Sequence, residues 1–184
     1  MMKLSYVKKA IITAACVALC VVLPMAFHAI PNAGSIYCPM HIPVLLCGLI
    51  CGAPFGLLCG ILGPLASALI TQMPPMAYLP PMLVELAVYG LVAGVMMRFV
   101  KTKHLYADLY SSLVVAMVAG RIVAGVAKAL IFAPGKITLA AWAGAYFVTA
   151  LPGIIIQLAL IPSIVVALEK GKLIPARYPK KRAE

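Results

Sequence analysis

Long apolar runs, separated by short polar or proline-rich segments, dominate the chain and predict transmembrane helices. A bilayer core about 30 Å thick needs roughly 20 apolar residues in a helix, or fewer where neighbouring helices bury the segment. On that scale we place six spans, the second of them short, at residues 10–26, 42–51, 55–71, 82–100, 109–132 and 139–168. The pattern therefore predicts an all-α membrane bundle, with residues 1–184 forming a single unit.

The connections between these spans contain residues that interrupt helices. The run Gly52, Ala53 and Pro54 predicts a break between the second and third spans. The segment 72–81 has four prolines in ten residues, so we predict a loop of extended character. The segment 27–41 is polar, contains prolines and is too long for a tight turn, which indicates a structured loop.

Composition and charge agree with a membrane location. The chain is 65% hydrophobic and 10% charged, whereas soluble domains carry roughly a quarter charged residues. The net charge of +11 could suggest nucleic-acid binding, but twelve of the fifteen cations lie in three clusters that flank the spans: the N-terminus, the loop from 98 to 103, and the tail from 170 to 182. The opposite set of loops carries a single lysine, Lys136. The positive-inside rule then predicts that both termini are cytoplasmic, as in a multi-pass protein of a bacterial plasma membrane, and nucleic acid is not an expected partner.

The sequence contains no recognisable enzyme signature. There is no nucleophile elbow, HExxH motif or phosphate-binding loop, and the chain has only four carboxylates. The six cysteines lie in the first third without CxxC spacing, which favours small buried hydrophobic residues over metal ligands. His28 and His41 lie in a loop, where metal binding is not expected either. We predict neither catalysis nor a metal or cofactor.

Three ionisable residues lie inside spans: Glu85, Arg121 and Lys128. Each costs about 2.5–3.5 kcal/mol to insert, so such residues usually face a cavity or a partner. Arg121 and Lys128 are seven residues apart on one helix face, with Gly125 between them. Two cations and one anion leave an uncompensated positive charge that a small carboxylate ligand would balance. Alternatively, Glu85 forms a static ion pair with Arg121 or Lys128, and the other cation extends to the headgroups.

Other polar and aromatic residues are predicted to converge on the outer half of the bundle. These candidates for ligand binding are Tyr89, Trp142, Tyr146 and Gln157. Trp142 and Tyr146 are equally typical of an interfacial aromatic belt. In the first span, Ala10, Ala14 and Ala18 repeat every four residues and form a smooth strip that another helix can approach closely. That helix could belong to this bundle or to a partner subunit.

Across essentially its whole length the chain resembles the substrate-binding membrane subunits, or S components, of energy-coupling factor transporters. The resemblance rests on the size, the six spans, the alanine strip and the run PMHIPVLLCGLICGAPFGLLCGILGPL at 39–65. The segments MPP at 73–75 and ELAVYGLVAG at 85–94 resemble a subgroup that includes pantothenate-type subunits.

This resemblance implies an outward-facing ligand pocket closed by the loops after the first and third spans. Asn32, Tyr37 and Tyr78 would take part in that gate. The alanine strip would contact a membrane scaffold subunit driven by two cytoplasmic ATPases, so ATP would not be hydrolysed by this chain.

The expected function is capture of a small water-soluble vitamin, with pantothenate the leading candidate. Arg121 would contact the carboxylate with help from Lys128, while Glu85, Tyr89 and Gln157 would meet hydroxyl and amide groups. Within the same class, a pyrimidine or pyridoxine-type precursor, folate or queuosine would depend more on Trp142 and the tyrosines for stacking. A membrane-embedded enzyme or a structural subunit is the alternative from a different class.

Overall fold

The computed structural model describes residues 4–27, 30–132, 134 and 138–178, and the regular structure among them is helical, without strands. Six helical segments are long and apolar enough to cross a membrane, which confirms the predicted all-α bundle. The helices are α1 Tyr6–Ala26, α2 Ala33–Tyr37, α3 His41–Cys51, α4 Ala53–Thr71, α5 Leu79–Phe99, α6 Leu105–Ala127, α7 Leu139–Ala143 and α8 Leu151–Lys170. Wider π-helical turns extend α6 through Lys128–Phe132 and α7 through Gly144–Thr149.

The bundle is built around α3 and α5. Helix α5 packs against α4, α6 and α3, while α1 packs against α4 and α3. Every residue of α3 from Pro43 to Cys51 is buried. Because the neighbouring helices cover α3, even so short a helix can be accommodated in a membrane protein.

Two of the predicted breaks are narrower than expected, and prolines are the reason. Between α3 and α4, Gly52 alone lies outside a helix, with a left-handed φ of 95° that favours glycine. Ala53 and Pro54 begin α4, and Pro80 and Pro81 lie in the first turn of α5. Proline is well tolerated there, since the first N–H groups of a helix have no partner within it. The proline loop is therefore shorter than 72–81.

The last predicted span is interrupted. The structure has α7 with its π-helical extension, a break at Ala150, and then α8, which carries Pro152 in its first turn. Helix α6 begins at Leu105, four residues before the predicted bound. Asp108, assigned from sequence to the end of a loop, is thus a fully buried helical residue.

A segment that we call the C-terminal strap, residues 171–178, accounts for the burial of Asp108. The Asp108 carboxylate accepts hydrogen bonds from Arg177 Nε at 2.5 Å and from the Tyr178 hydroxyl at 2.6 Å. Its other oxygen accepts from the backbone N–H and the hydroxyl of Thr102, at 2.8 and 2.7 Å. Arg177 also donates to the Val100 carbonyl and, through its backbone N–H, to Glu169. The strap thereby ties the end of α8 to the connection between α5 and α6.

The six cysteines are all buried and none forms a disulfide, in agreement with their predicted role as small hydrophobic residues. Among the described residues, no group of three or more His, Cys, Asp or Glu side chains is arranged to hold a metal ion. His28, Lys136 and the tail cations from 180 to 182 lie outside the described residues, so their predicted positions stay predictions.

The alanine strip lies on the outer surface of α1. The inner face of this helix carries Cys16 and Cys20, which are buried against the bundle. Ala10, Ala14 and Ala18 are exposed on the other side. The strip is therefore available to another molecule and does not pack within the chain's own bundle.

Candidate functional site

A cavity of about 670 Å³ lies at the end of the bundle where α1 and α6 end and α3 and α5 begin. Its volume falls in the range that holds a small organic ligand. Residues 30–40, which include α2, form one wall, and the proline loop before α5 forms another. Two of the residues predicted to gate the site, Asn32 and Tyr78, lie on these walls. Tyr78 is 61% exposed, as expected of a residue at the rim.

Glu85 forms the acidic centre of the cavity. Its Oε1 lies 3.5 Å from His41 Nε2 and 3.9 Å from Arg121 Nε. Of the pairings left open by the sequence, the structure therefore brings Arg121 to Glu85 and adds His41, the first residue of α3. All three side chains line the cavity and are almost fully buried.

Arg121 is held close to Glu85 without being hydrogen-bonded to it. The residue is 2% exposed, and its Nε and Nη2 have no hydrogen-bond partner among the described residues. Its guanidinium lies 5.5 Å from the centroid of the Phe147 ring, within the range of a cation–π contact. A buried guanidinium with free donors is costly unless an acceptor arrives. It is suited to bidentate binding of a carboxylate or phosphate.

The charges that line the cavity do not cancel. Glu85 contributes one carboxylate, while Arg121 and Lys128 contribute two cationic side chains, and His41 adds no negative charge. Most of the remaining lining is apolar, for example Met40, Met82 and Pro81. In such surroundings an uncompensated positive charge favours a ligand with one negative group and an apolar or weakly polar body.

The family model described as "ECF transporter, substrate-specific component" matches residues 8–165, which is most of the chain. The chain belongs to this family. No curated protein sequence and no solved structure matches it. An S component is a transporter subunit and not an enzyme; it binds a substrate and associates with the energy-coupling module. The six apolar helices agree with a multi-pass membrane protein.

The cavity of this S component contains six of the ten predicted ligand and gate residues: Asn32, Tyr78, Glu85, Arg121, Lys128 and Tyr146. The other four do not line it. Tyr37 packs its ring against Phe27, with centroids 5.5 Å apart. Gln157 is fully buried and donates from Nε2 to the Cys38 carbonyl at 3.4 Å.

Tyr89 and Trp142 lie directly behind the charged cluster. The Tyr89 ring meets the His41 ring edge to face, with centroids 5.2 Å apart, and its buried hydroxyl has no partner among the described residues. The Trp142 indole Nε1 donates to the Arg121 carbonyl at 3.3 Å. A Cβ at Gly125 would lie 2.0 Å from that Nε1, so this glycine makes room for the indole. Both aromatic residues therefore support the cluster from outside the cavity.

His41 and Phe147 were not identified from the sequence as residues of the site. His41 was assigned to a loop, although it directly precedes the apolar run of the second span, where a helix start was predicted. Its contact with Glu85 joins residues 44 positions apart and leaves no local signal. Phe147 was hidden in the apolar pattern of the last span, and its contact with Arg121 depends on the π-helical turn at Gly144–Thr149.

Proposed function

We propose that this S component captures a small anionic water-soluble vitamin for ATP-driven uptake, with pantothenate as the leading candidate. The observation that carries the proposal is the buried Arg121 side chain, whose Nε and Nη2 have no hydrogen-bond partner among the described residues, at a cavity whose described lining has more cationic than anionic side chains. The resemblance of segments 73–75 and 85–94 to pantothenate-type subunits supports this choice within the class.

The ligand carboxylate would bind Arg121, with Lys128 nearby at the end of α6. Hydroxyl and amide groups would then reach Glu85 and His41, and the apolar lining would cover the dimethyl part of pantothenate. Tyr89 and Gln157 were predicted to touch the ligand. Their positions behind the wall favour an indirect role, in which Tyr89 holds His41 and Gln157 holds the turn at Cys38.

The proposed orientation places the cavity outside the cell and both termini in the cytoplasm of a bacterium. The exposed face of Ala10, Ala14 and Ala18 would contact a membrane scaffold subunit, which two cytoplasmic ATPases would drive. Asn32, Tyr37 and Tyr78, on the two segments that flank the cavity, would serve as its gate.

Replacing Arg121 with alanine should weaken pantothenate binding by at least 30-fold, because loss of a buried charge pair to the ligand costs about 2–5 kcal/mol. Isothermal titration calorimetry on the detergent-purified protein would measure this change. Arg121→Lys should recover only part of the affinity, since lysine keeps the charge but loses the bidentate fork. Arg98→Ala is the matched control, because Arg98 is exposed at the far end of α5 and should leave binding unchanged. Undiminished binding by Arg121→Ala would exclude the assigned role.

A thermal-shift panel of B vitamins and their precursors tests the ligand itself. A ligand that binds the folded state raises the melting temperature in proportion to the logarithm of its concentration above Kd. Pantothenate should give the largest shift. If a neutral pyrimidine or pyridoxine-type compound gives it instead, the ligand assignment is wrong. Binding should then tolerate Arg121→Ala and fail in Tyr146→Ala, since Tyr146 is the less exposed of the two predicted tyrosines on the cavity wall.

A further inference from the structure

A second, smaller groove lies at the opposite end of the bundle from the ligand cavity. Its volume is about 400 Å³, and it is lined by Leu4, Ser5 and Lys8 at the start of α1 and by Lys172, Leu173 and Pro175 of the C-terminal strap. No acidic residue contributes to this lining. Neither lysine forms a salt bridge within the described part of the chain. Two ammonium groups therefore share one groove without a counter-charge from the residues that the structure describes.

Lys172 adopts a backbone conformation that a lysine rarely has. Its φ is 58°, in the left-handed region, while the preceding Gly171 has an ordinary φ of −72°. Helices often end with a left-handed residue, and glycine is the usual choice because it lacks the steric penalty of a Cβ. Lysine at this position does not help the chain to turn. Its side chain lies on the wall of the groove.

The groove is apolar as well as cationic. Leu173 on its wall is 70% exposed, and next to Leu4 the outer surface of α1 carries Tyr6 and Val7, which are 77% and 66% exposed. The groove lies where α1 begins and α8 ends, which is the level of a membrane surface for helices that span the bilayer. Tyrosine is typical of that level. A free anion or an acidic peptide would use the lysines but would have no need of the leucines.

We propose that this groove binds an anionic phospholipid, with the headgroup phosphate between Lys8 and Lys172 and an acyl chain against Leu4 and Leu173. Basic pockets at the ends of membrane helices are suited to such headgroups, because the lysines neutralise the phosphate while the helices cover the chain. The site is separate from the vitamin cavity, and the proposal does not depend on the identity of the transported ligand.

Native mass spectrometry of the detergent-solubilised full chain, titrated with dioctanoyl phosphatidylglycerol and with dioctanoyl phosphatidylcholine, tests this proposal. The wild type should retain phosphatidylglycerol in preference to phosphatidylcholine. Because each lysine near the surface contributes about fivefold to anionic-lipid affinity, Lys8→Gln with Lys172→Gln should weaken phosphatidylglycerol binding roughly 30-fold. The matched control is Arg98→Gln with Lys101→Gln, which removes two exposed cations outside the groove and should leave that binding nearly unchanged.

Three single variants, Lys172→Gly, Lys172→Gln and Lys172→Arg, separate the effect of the lysine side chain from that of its backbone. Lys172→Gly should fold at least as well, judged by circular dichroism melting in neutral detergent, yet should lose phosphatidylglycerol affinity as far as Lys172→Gln does. Lys172→Arg keeps the cation and should keep the affinity. Equal losses in the groove pair and the control pair would overturn the proposal in favour of diffuse surface charge. Displacement of the lipid by millimolar inorganic phosphate would overturn it in favour of a free-phosphate site.

Discussion

Gly90→Ala should destabilise the folded protein by about 3 kcal/mol, at the upper end of what overpacking costs, even after the gain in helix propensity. A Cβ at Gly90 would lie 2.1 Å from the Gly56 carbonyl oxygen and 2.3 Å from the Gly56 carbonyl carbon. Both are backbone atoms, so α4 and α5 would have to separate. Thermal unfolding in detergent would measure the loss of stability.

The same substitution should also reach the ligand cavity. A Cβ at Gly48 of α3 would lie 2.5 Å from the Gly90 carbonyl oxygen, so α3, α4 and α5 meet closely here. Forcing α5 outward would move Glu85 away from His41 and weaken ligand binding. Gly144→Ala is the matched control, since no atom of the described residues lies within 4 Å of a Cβ at that position. If Gly90→Ala melts at the same temperature as Gly144→Ala, the close contact between α4 and α5 at Gly90 does not stabilise the bundle.

Arg177→Met should destabilise the protein by about 2–3 kcal/mol, because it leaves the buried Asp108 carboxylate without its cation. The value falls below that of a carboxylate left with no partner, since Asp108 keeps its hydrogen bonds from Thr102 and Tyr178. Unfolding in mixed detergent micelles would measure the free energy. Arg98→Met, an exposed arginine at the end of α5, is the control and should change stability little.

A double-mutant cycle strengthens the test of this contact. Asp108→Asn combined with Arg177→Met should cost less than the sum of the two single changes, because each removes the same interaction. Strict additivity of the two effects would show that the contact between Asp108 and Arg177 does not hold the C-terminal strap in place. Ligand binding should be nearly unaffected in all these variants, since the strap lies at the opposite end of the bundle from the cavity.

The positions of the apolar runs determined much of the fold. The number of spans and the break at Gly52 follow from helix length in a bilayer and from the backbone freedom of glycine. The convergence of Glu85, Arg121 and Lys128 on one end of the bundle also followed, because alternating helix directions fix the depth of each residue. The residues at which helices end or begin near prolines could not be predicted from the sequence, since proline both breaks a helix and begins one.

Only the tertiary structure decided which side chains meet. Apolar periodicity gives the depth of a residue along a helix, but in an all-round apolar helix it gives little information about the face that points inward. Tyr89 and Trp142 therefore could not be separated by sequence from Tyr146, which does line the cavity. The same is true of His41 with Glu85 and of Asp108 with Arg177, because these pairs are 44 and 69 residues apart and depend on helix packing.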